Sequence, residues 1–183
     1  MIFIKSITDI NIIRWNDGSS NRIFAFIKGA ESDARLEPEK TSMRNEAQNV
    51  AYAALVLRVA LGAMFLAHGL LKVFVFTIPG TVGYFQSIGY PGFFAYLVIL
   101  AEVAGGAALI AGVYARYVAL ALVPVLIGAT LQYLPNGWLF ANPKGGWEFP
   151  AFWTVTLVVQ GLIGDGAYAL KPSRPIQAAA QPA

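Results

Sequence analysis

The sequence contains no cysteine and a single histidine, His68, in 183 residues. The absence of cysteine excludes disulfide exchange, iron–sulfur clusters and zinc sites built on thiolates. One histidine also excludes a haem held by two histidines of the same chain. Charge is scarce as well, since only 13% of the residues are Asp, Glu, Lys or Arg, whereas 57% are hydrophobic. This balance is too apolar for an ordinary soluble domain and favours an integral membrane protein.

The charged residues are distributed unevenly along the chain. Residues 1–49 hold fourteen of the 23 charged residues, seven of each sign, and the rest of the chain holds six basic and three acidic ones. The net charge of +3 therefore comes from the apolar part. There it bears on membrane topology, because Lys and Arg in loops favour the cytoplasmic side. It gives no indication of nucleic-acid binding.

The most informative segment covers residues 50–72, which are almost wholly apolar and yet include Arg58, His68 and Lys72. A helix of this length reaches roughly 33 Å, enough to cross a bilayer core of about 30 Å. At about 100° per residue the three polar side chains fall within a stripe of about 80°. Two glycines beside that stripe would let another backbone approach closely: Gly62 and Gly69. We therefore predict that the other helices pack around this face.

Four segments are apolar enough to span a membrane, at about 50–72, 93–112, 117–134 and 149–170. They predict an all-α membrane protein, a four-helix antiparallel bundle within a domain of residues 50–171. A short surface helix is expected at 81–88, and Trp138, Trp147 and Trp153 are expected in the aromatic belt at the lipid–water boundary. Four crossings would place both termini on one side, and the basic excess there predicts that this side is cytoplasmic.

We assign no chemical function to the segments that flank this domain. Residues 1–49 are either a polar cytoplasmic tail, in part disordered, or sequence upstream of a translation start at Met43, which lies just before the first span. Residues 172–183 are rich in Pro, Ala and Gln and predict a disordered tail.

Three polar residues on three predicted spans fall at one depth. Arg58 lies roughly 12 Å from the predicted cytoplasmic edge, and Glu102 and Gln160 lie about 15 Å from it. An unpaired charge there is costly, so we predict that Arg58 pairs with Glu102 and that Gln160 joins them. Two roles stay open, because such a pair can fix helix register or can hold a ligand or a proton. A sealed contact would favour the first role, and a tunnel to the bilayer the second.

A second polar cluster is predicted at the opposite boundary. His68 and Lys72 are four residues apart and share a helix face. Residues at the ends of the next spans fall at a similar height: Gln132, Tyr133, Trp147 and Glu148. A histidine near a carboxylate and a cation can relay protons or hold the carbonyl oxygens of a quinone, with Phe65 as an aromatic wall. The alternative is an interfacial histidine and a snorkelling lysine without a ligand.

A series of short motifs between residues 55 and 170 resembles the DoxX family of small four-helix membrane proteins. The motifs are Arg58 with Gly62, HGLLK (68–72), GYPG (89–92), AEVAGG (101–106), GGWE (145–148) and GDGAYAL (164–170). No single motif is specific, but their order and spacing are. Residues 1–49 fall outside the resemblance.

The resemblance implies a multi-pass protein of the bacterial inner membrane. The family's namesakes are subunits of a thiosulfate–quinone oxidoreductase, and other members are linked to redox or oxidative-stress functions. We therefore expect a quinone-linked or redox-associated membrane subunit without a built-in cofactor, which binds quinone or supports a partner subunit that holds the electrons. A non-enzymatic scaffold for such a partner and a carrier of a small amphiphile are the alternatives.

Overall fold

The structure is a computed structural model that describes the backbone of residues 18–173 and the side chains of residues 40–173. The predictions for residues 1–17 and 174–183 lie outside the described residues. The chain divides into two compact units, Met1–Glu46 and Ala47–Ala183. Five α-helices occur in the described residues: α1 (Gly18–Phe74), α2 (Ile78–Ser87), α3 (Phe93–Ala111), α4 (Ala115–Tyr133) and α5 (Glu148–Ile163). A 3-10 turn, Leu134–Asn136, follows α4.

Three of these helices are long and apolar enough to cross a membrane, in the ranges Lys40–Phe74, Phe93–Ala111 and Ala115–Asn136. Each includes most of a predicted span, and α2 lies where the short surface helix is expected. Within residues 18–173 there is no β-strand beyond an isolated bridge between Val113 and Lys171. The all-helical prediction is therefore confirmed for this part of the chain. The predicted orientation of the termini remains a prediction.

Helices α1 and α3 make the close contact that the glycine positions predict. A Cβ atom on Gly62 would lie 2.7 Å from the Gly106 carbonyl oxygen, and one on Gly106 would lie 2.7 Å from the Leu66 nitrogen. Neither distance is possible for a real side chain, so only glycine allows the two backbones to approach this closely. Gly69, two turns further along α1, makes a similar close contact with Val103 and Glu102.

The core of the Ala47–Ala183 unit receives side chains from α1, α3, α4 and α5. Its buried members include Leu61, Phe65, Leu109, Leu122, Leu126, Trp153 and Leu157. Helix α4 packs against α5 and α3, and α2 packs against α3. Trp153, predicted in the aromatic belt, is only 5% exposed and packs against Phe65, with tilted rings whose centroids are 4.6 Å apart. The prediction for this tryptophan is wrong, because it lies one turn inside α5 on the face that points to the core.

The last predicted span, 149–170, is helical only as far as Ile163. Gly164 and Gly166 then adopt positive φ angles of 96° and 74°, which end the helix and turn the chain. The following residues bond to the turn between α3 and α4, where the Leu170 and Lys171 amides donate to the Ala111 and Gly112 carbonyls at 3.2 and 3.1 Å. Residues 164–173 therefore form a hook, which we call the C-terminal hook.

Candidate functional site

An ion pair links α1 to α3. The Lys72 Nζ atom lies 2.8 Å from Oε1 and 2.7 Å from Oε2 of Glu102, so the ammonium donates to both carboxylate oxygens. Only 8% of the Glu102 side chain and 21% of the Lys72 side chain are exposed. Gly69 makes this contact possible, since its missing Cβ leaves room for the Cβ of Glu102 at 3.1 Å. A charge-assisted pair of this kind satisfies a carboxylate that would be costly to bury alone.

The predicted pair of Arg58 and Glu102 is wrong. Arg58 is 1% exposed and donates instead to two main-chain carbonyls of the C-terminal hook, those of Asp165 at 2.9 Å and Ala167 at 3.1 Å. Its guanidinium lies directly against Gly112 at the end of α3, where any side chain would collide with it. Glu102 is ten residues earlier on α3, about 15 Å away along the helix. The two charges therefore lie at different levels.

Gln160 does not join Glu102 either. Its side chain is buried and donates from Nε2 to the Gly164 carbonyl at 2.7 Å, which satisfies a carbonyl at the end of its own helix. Its Oε1 atom has no hydrogen-bond partner in the described residues. The predicted cluster of Arg58, Glu102 and Gln160 is thus divided between two places in the fold.

His68 lies one helical turn from Lys72 and is one of the residues around Glu102. Its imidazole interacts electrostatically with the Glu102 carboxylate. The Nδ1 atom lies 2.8 Å from the Met64 carbonyl oxygen, which can only accept, so Nδ1 is the donor of this hydrogen bond. On the other side the ring packs against Trp153, with centroids 5.0 Å apart.

Trp153 is the residue at this place that the sequence reasoning missed. Its indole Nε1 is fully buried and has no hydrogen-bond acceptor in the described part of the chain. Helical spacing could have placed it on the core face, because Trp153, Leu157 and Gln160 follow one another at intervals of four and three residues. We call the group of Phe65, His68, Lys72, Glu102 and Trp153 the Glu102 site.

The other residues of the predicted boundary cluster lie around the loop between α4 and α5. Glu148 accepts from the Phe140 amide at 2.8 Å, and Trp147 packs edge-on against Trp138 with centroids 4.5 Å apart. Gln132 and Tyr133 are half-buried at the end of α4, and the Tyr133 ring lies where a Cβ on Gly145 would meet it. The structure therefore brings His68 and Lys72 to Glu102. The other four predicted residues lie around the loop instead: Gln132, Tyr133, Trp147 and Glu148.

Asp165 also has a larger role than that of a turn residue. Its carboxylate accepts from the Ser173 amide at 2.8 Å, the Ser173 hydroxyl at 2.9 Å and the Arg116 amide at 3.2 Å. Together with Arg58 it fixes the C-terminal hook against α1 and α4. The Gly-Asp-Gly sequence is the signal for this, because a carboxylate between two flexible residues is well suited to accept several amides.

Two cavities are the best defined in the described residues, and neither borders Glu102. The larger has a volume of about 410 Å³ and is lined by Trp138, Phe140, Glu148, Phe149 and Phe152. The smaller, of about 190 Å³, lies between α4 and α5. No group of three or more His, Cys, Asp or Glu side chains in the described part of the chain is placed to hold a metal ion.

Comparison with known proteins gives one family and one relative. The family model described as DoxX matches residues 53–135. The Bacillus subtilis (strain 168) protein named "Putative oxidoreductase CatD" is 35% identical over 118 residues, which cover 64% of this chain and 84% of the relative. No solved structure matches the chain significantly. The matched residues include the Arg58 and Gly62 positions, the HGLLK motif and the AEVAGG motif. With its apolar helices and this similarity over most of the relative's length, the chain belongs to the DoxX family of membrane proteins.

Proposed function

We propose that this DoxX-family protein is the quinone-binding membrane subunit of a redox system and that the quinone headgroup binds at the Glu102 site. The observation that carries the proposal is the buried indole N–H of Trp153, which has no acceptor in the described residues and lies beside His68. The name of the Bacillus subtilis relative supports a redox role.

The Trp153 indole is suited to a ligand that brings a carbonyl oxygen. Buried N–H groups almost always have an acceptor, and leaving one unpaired costs about 1 to 3 kcal/mol. A quinone combines an apolar ring with two carbonyl oxygens and a lipid-soluble tail. Its ring would have to enter beside Phe65 and Trp153, which are buried and pack on each other with tilted rings. The groups present therefore fit a quinone headgroup.

In this proposal the polar residues of the Glu102 site exchange protons with the bound quinone. A bound quinone supplies the capacity to take up two electrons and two protons. In this proposal the His68 imidazole exchanges protons with the quinone through Nε2, because Nδ1 is bonded to the Met64 carbonyl oxygen. Lys72 holds the carboxylate in place through two hydrogen bonds. The role of the chain in this proposal is thus to bind the quinone and to control its protons.

The electrons would come from a partner subunit. The chain has no cysteine, so it cannot pass electrons through a disulfide relay of its own. The proposed protein is the quinone-facing part of a larger assembly in the inner membrane, and its apolar helices support a membrane location.

Binding can be measured on the purified full chain in a mild non-ionic detergent. A short-tailed ubiquinone and a short-tailed menaquinone should raise the thermal unfolding midpoint, because a ligand that binds only the folded state stabilises it. Trp153→Phe keeps the aromatic packing but removes the N–H donor, and should weaken binding about tenfold. Glu46→Gln, at an exposed carboxylate on α1, is the control for Glu102→Gln on α3.

The proposal fails if no quinone of either class changes the midpoint of the wild-type protein. It also fails if Trp153→Phe, still folded, binds as tightly as the parent. Mass spectrometry of lipids retained after extraction provides a second measurement that does not depend on the added probe.

A scaffold function is the second candidate, and the direct contact between Lys72 and Glu102 favours it. Neither of the two cavities described above reaches this pair, as expected if the pair only fixes the register of α1 and α3. A scaffold would retain a partner protein through copurification from membranes while quinones leave its unfolding midpoint unchanged.

A further inference from the structure

The larger cavity has an unusual lining. Four of its five lining residues are aromatic, Trp138, Phe140, Phe149 and Phe152, and the fifth is Glu148. It is an open depression with a volume of about 410 Å³, and its Trp138, Phe140 and Phe152 side chains are 56%, 59% and 69% exposed. We call it the aromatic cavity. It shares no residue with the Glu102 site, although Phe149 contacts Trp153 of that site.

The loop between α4 and α5 holds the cavity wall in place through its backbone. The Trp147 amide donates to the Gly137 carbonyl and the Glu148 amide donates to the Trp138 carbonyl, both at 3.2 Å. Gly146 allows this approach, because any side chain there would collide with the Trp138 and Leu139 carbonyls. The two ends of the loop are therefore fixed side by side.

The aromatic rings are positioned by their neighbours. Trp138 meets Trp147 edge-on, at 89°, and Phe140 packs against Phe149 with centroids 5.4 Å apart. Phe149 in turn contacts the buried Trp153 at 5.6 Å. Trp138, Phe140 and Phe149 are thus positioned before a ligand binds, which favours affinity.

Glu148 is the only charged residue in this wall. One carboxylate oxygen accepts from the Phe140 amide at 2.8 Å, which fixes the side chain at the cavity. The carboxylate is half-buried and has no basic partner within 4 Å in the described part of the chain. Among the described residues, the cavity therefore carries one carboxylate without a basic side chain within 4 Å.

We propose that the aromatic cavity binds a methylated quaternary ammonium group, such as that of choline. Aromatic rings attract cations, and clusters of them recognise quaternary ammonium groups. The carboxylate adds charge complementarity. A primary ammonium needs several hydrogen-bond acceptors to replace its water, and this lining offers a single carboxylate, whereas methyl groups pack against rings without that requirement. An anionic ligand is disfavoured, since the lining contains no Lys or Arg.

The binding test uses the full chain in dodecyl maltoside, a detergent with a sugar headgroup and no ammonium. Saturation-transfer NMR of the choline methyl protons reports binding. Dimethylbutanol, in which carbon replaces the charged nitrogen, is the neutral isostere. Choline should receive saturation and dimethylbutanol should receive at least about fivefold less.

Variants assign the signal to the cavity. Glu148→Gln keeps the size of the side chain and an oxygen for the Phe140 amide, and should weaken choline binding at least about fivefold. Trp138→Leu should weaken it as well. Glu46→Gln and Tyr168→Leu, an exposed carboxylate and an exposed aromatic residue elsewhere, should leave it unchanged. The thermal unfolding midpoint shows that each variant is folded.

A second arm identifies the source of the group. Nanodiscs of phosphatidylglycerol with small equal amounts of phosphatidylcholine and phosphatidylethanolamine offer the methylated and unmethylated headgroups together. Retention of phosphatidylcholine by the extracted protein, lost in Glu148→Gln, supports the proposal with a lipid headgroup as ligand. Binding of choline without lipid enrichment supports it with a soluble cation.

The proposal is overturned if neither choline nor phosphatidylcholine binds, or if dimethylbutanol binds as well as choline. It is overturned too if folded Glu148→Gln and Trp138→Leu both bind choline like the parent. None of these results depends on quinone binding, so the proposed redox function stands or falls separately.

Discussion

Removal of the Lys72 ammonium should show how strongly the membrane unit depends on the ion pair with Glu102. Lys72→Met keeps an unbranched side chain but leaves the Glu102 carboxylate, 8% exposed, without its two charge-assisted hydrogen bonds. Breaking a buried ion pair by removing one partner costs about 3 to 5 kcal/mol. Protonation limits this loss, because neutralising a glutamate with an ordinary pKa of about 4.3 at pH 7 costs about 4 kcal/mol. As Lys72 is itself 21% exposed, we expect a loss of about 3 kcal/mol.

A double-mutant cycle separates the pair from its surroundings. Glu102→Gln in addition to Lys72→Met removes the unpaired charge, so the double variant should be more stable than the sum of the single losses predicts. We expect a coupling free energy of about 2 kcal/mol. Reversible unfolding in mixed detergent and SDS micelles, followed by circular dichroism, gives the four free energies of unfolding that the cycle needs.

The same cycle with Arg58→Met is the control. Arg58 lies fourteen residues before Lys72, about 21 Å away along α1, and contacts the C-terminal hook, so its effect should add to that of Glu102→Gln within about 0.5 kcal/mol. A coupling below about 0.5 kcal/mol for Lys72 and Glu102, or a larger one for Arg58 and Glu102, would refute the arrangement described here.

Three further perturbations follow from the packing. Gly106→Leu places a side chain against the backbone of α1 and should cost at least about 3 kcal/mol, whereas the exposed Ala107→Leu should be tolerated; folded yield and unfolding midpoint report both. Asp165→Asn weakens the C-terminal hook, so the Ser173 amide should exchange hydrogen at least about fivefold faster, and unchanged exchange would contradict the assigned contact. Burial is the main cause that raises the pKa of Tyr84 above its ordinary 10.0. The folded state then holds this proton more tightly, stability falls as pH rises above about 10, and Tyr84→Phe should reduce the alkaline drop in unfolding midpoint.

The positions of the helices could be predicted largely from apolar segments and their breakers. Helix α3 begins at Phe93 as predicted and ends one residue before the predicted boundary, because Gly112 adopts a left-handed conformation there. Glycine spacing also identified the close contact of α1 with its neighbour at Gly62. The end of the fourth span was harder, since residues 167–170 are again largely apolar after the helix has ended. Hydropathy cannot distinguish a non-helical hook from a helical turn.

The partner of Glu102 could not be predicted from depth alone. Rise per residue gives the depth of a residue along one helix, but depths on two helices can be compared only if the helix ends are aligned. Here the end of α3, at Gly112, lies at the level of Arg58 and not at the predicted cytoplasmic edge. Side chains on a helix also lean towards its N-terminus, so Lys72 reaches back along α1 to the carboxylate. The sequence predicts Lys72 at the boundary, where a lysine extends to water. The prediction for Trp153 failed for a similar reason, because the depth of a residue does not give the rotation of its helix.

The most direct test of the quinone-binding proposal observes the Trp153 indole itself. The chain contains four tryptophans, so a protein labelled with nitrogen-15 at the indole gives few N–H signals, and Trp153→Phe assigns the one of interest. If a short-tailed quinone supplies the missing acceptor, that N–H signal should move downfield as the hydrogen bond forms, while the Glu46→Gln control behaves like the parent. A Trp153 signal that stays in place at saturating quinone would contradict the proposal.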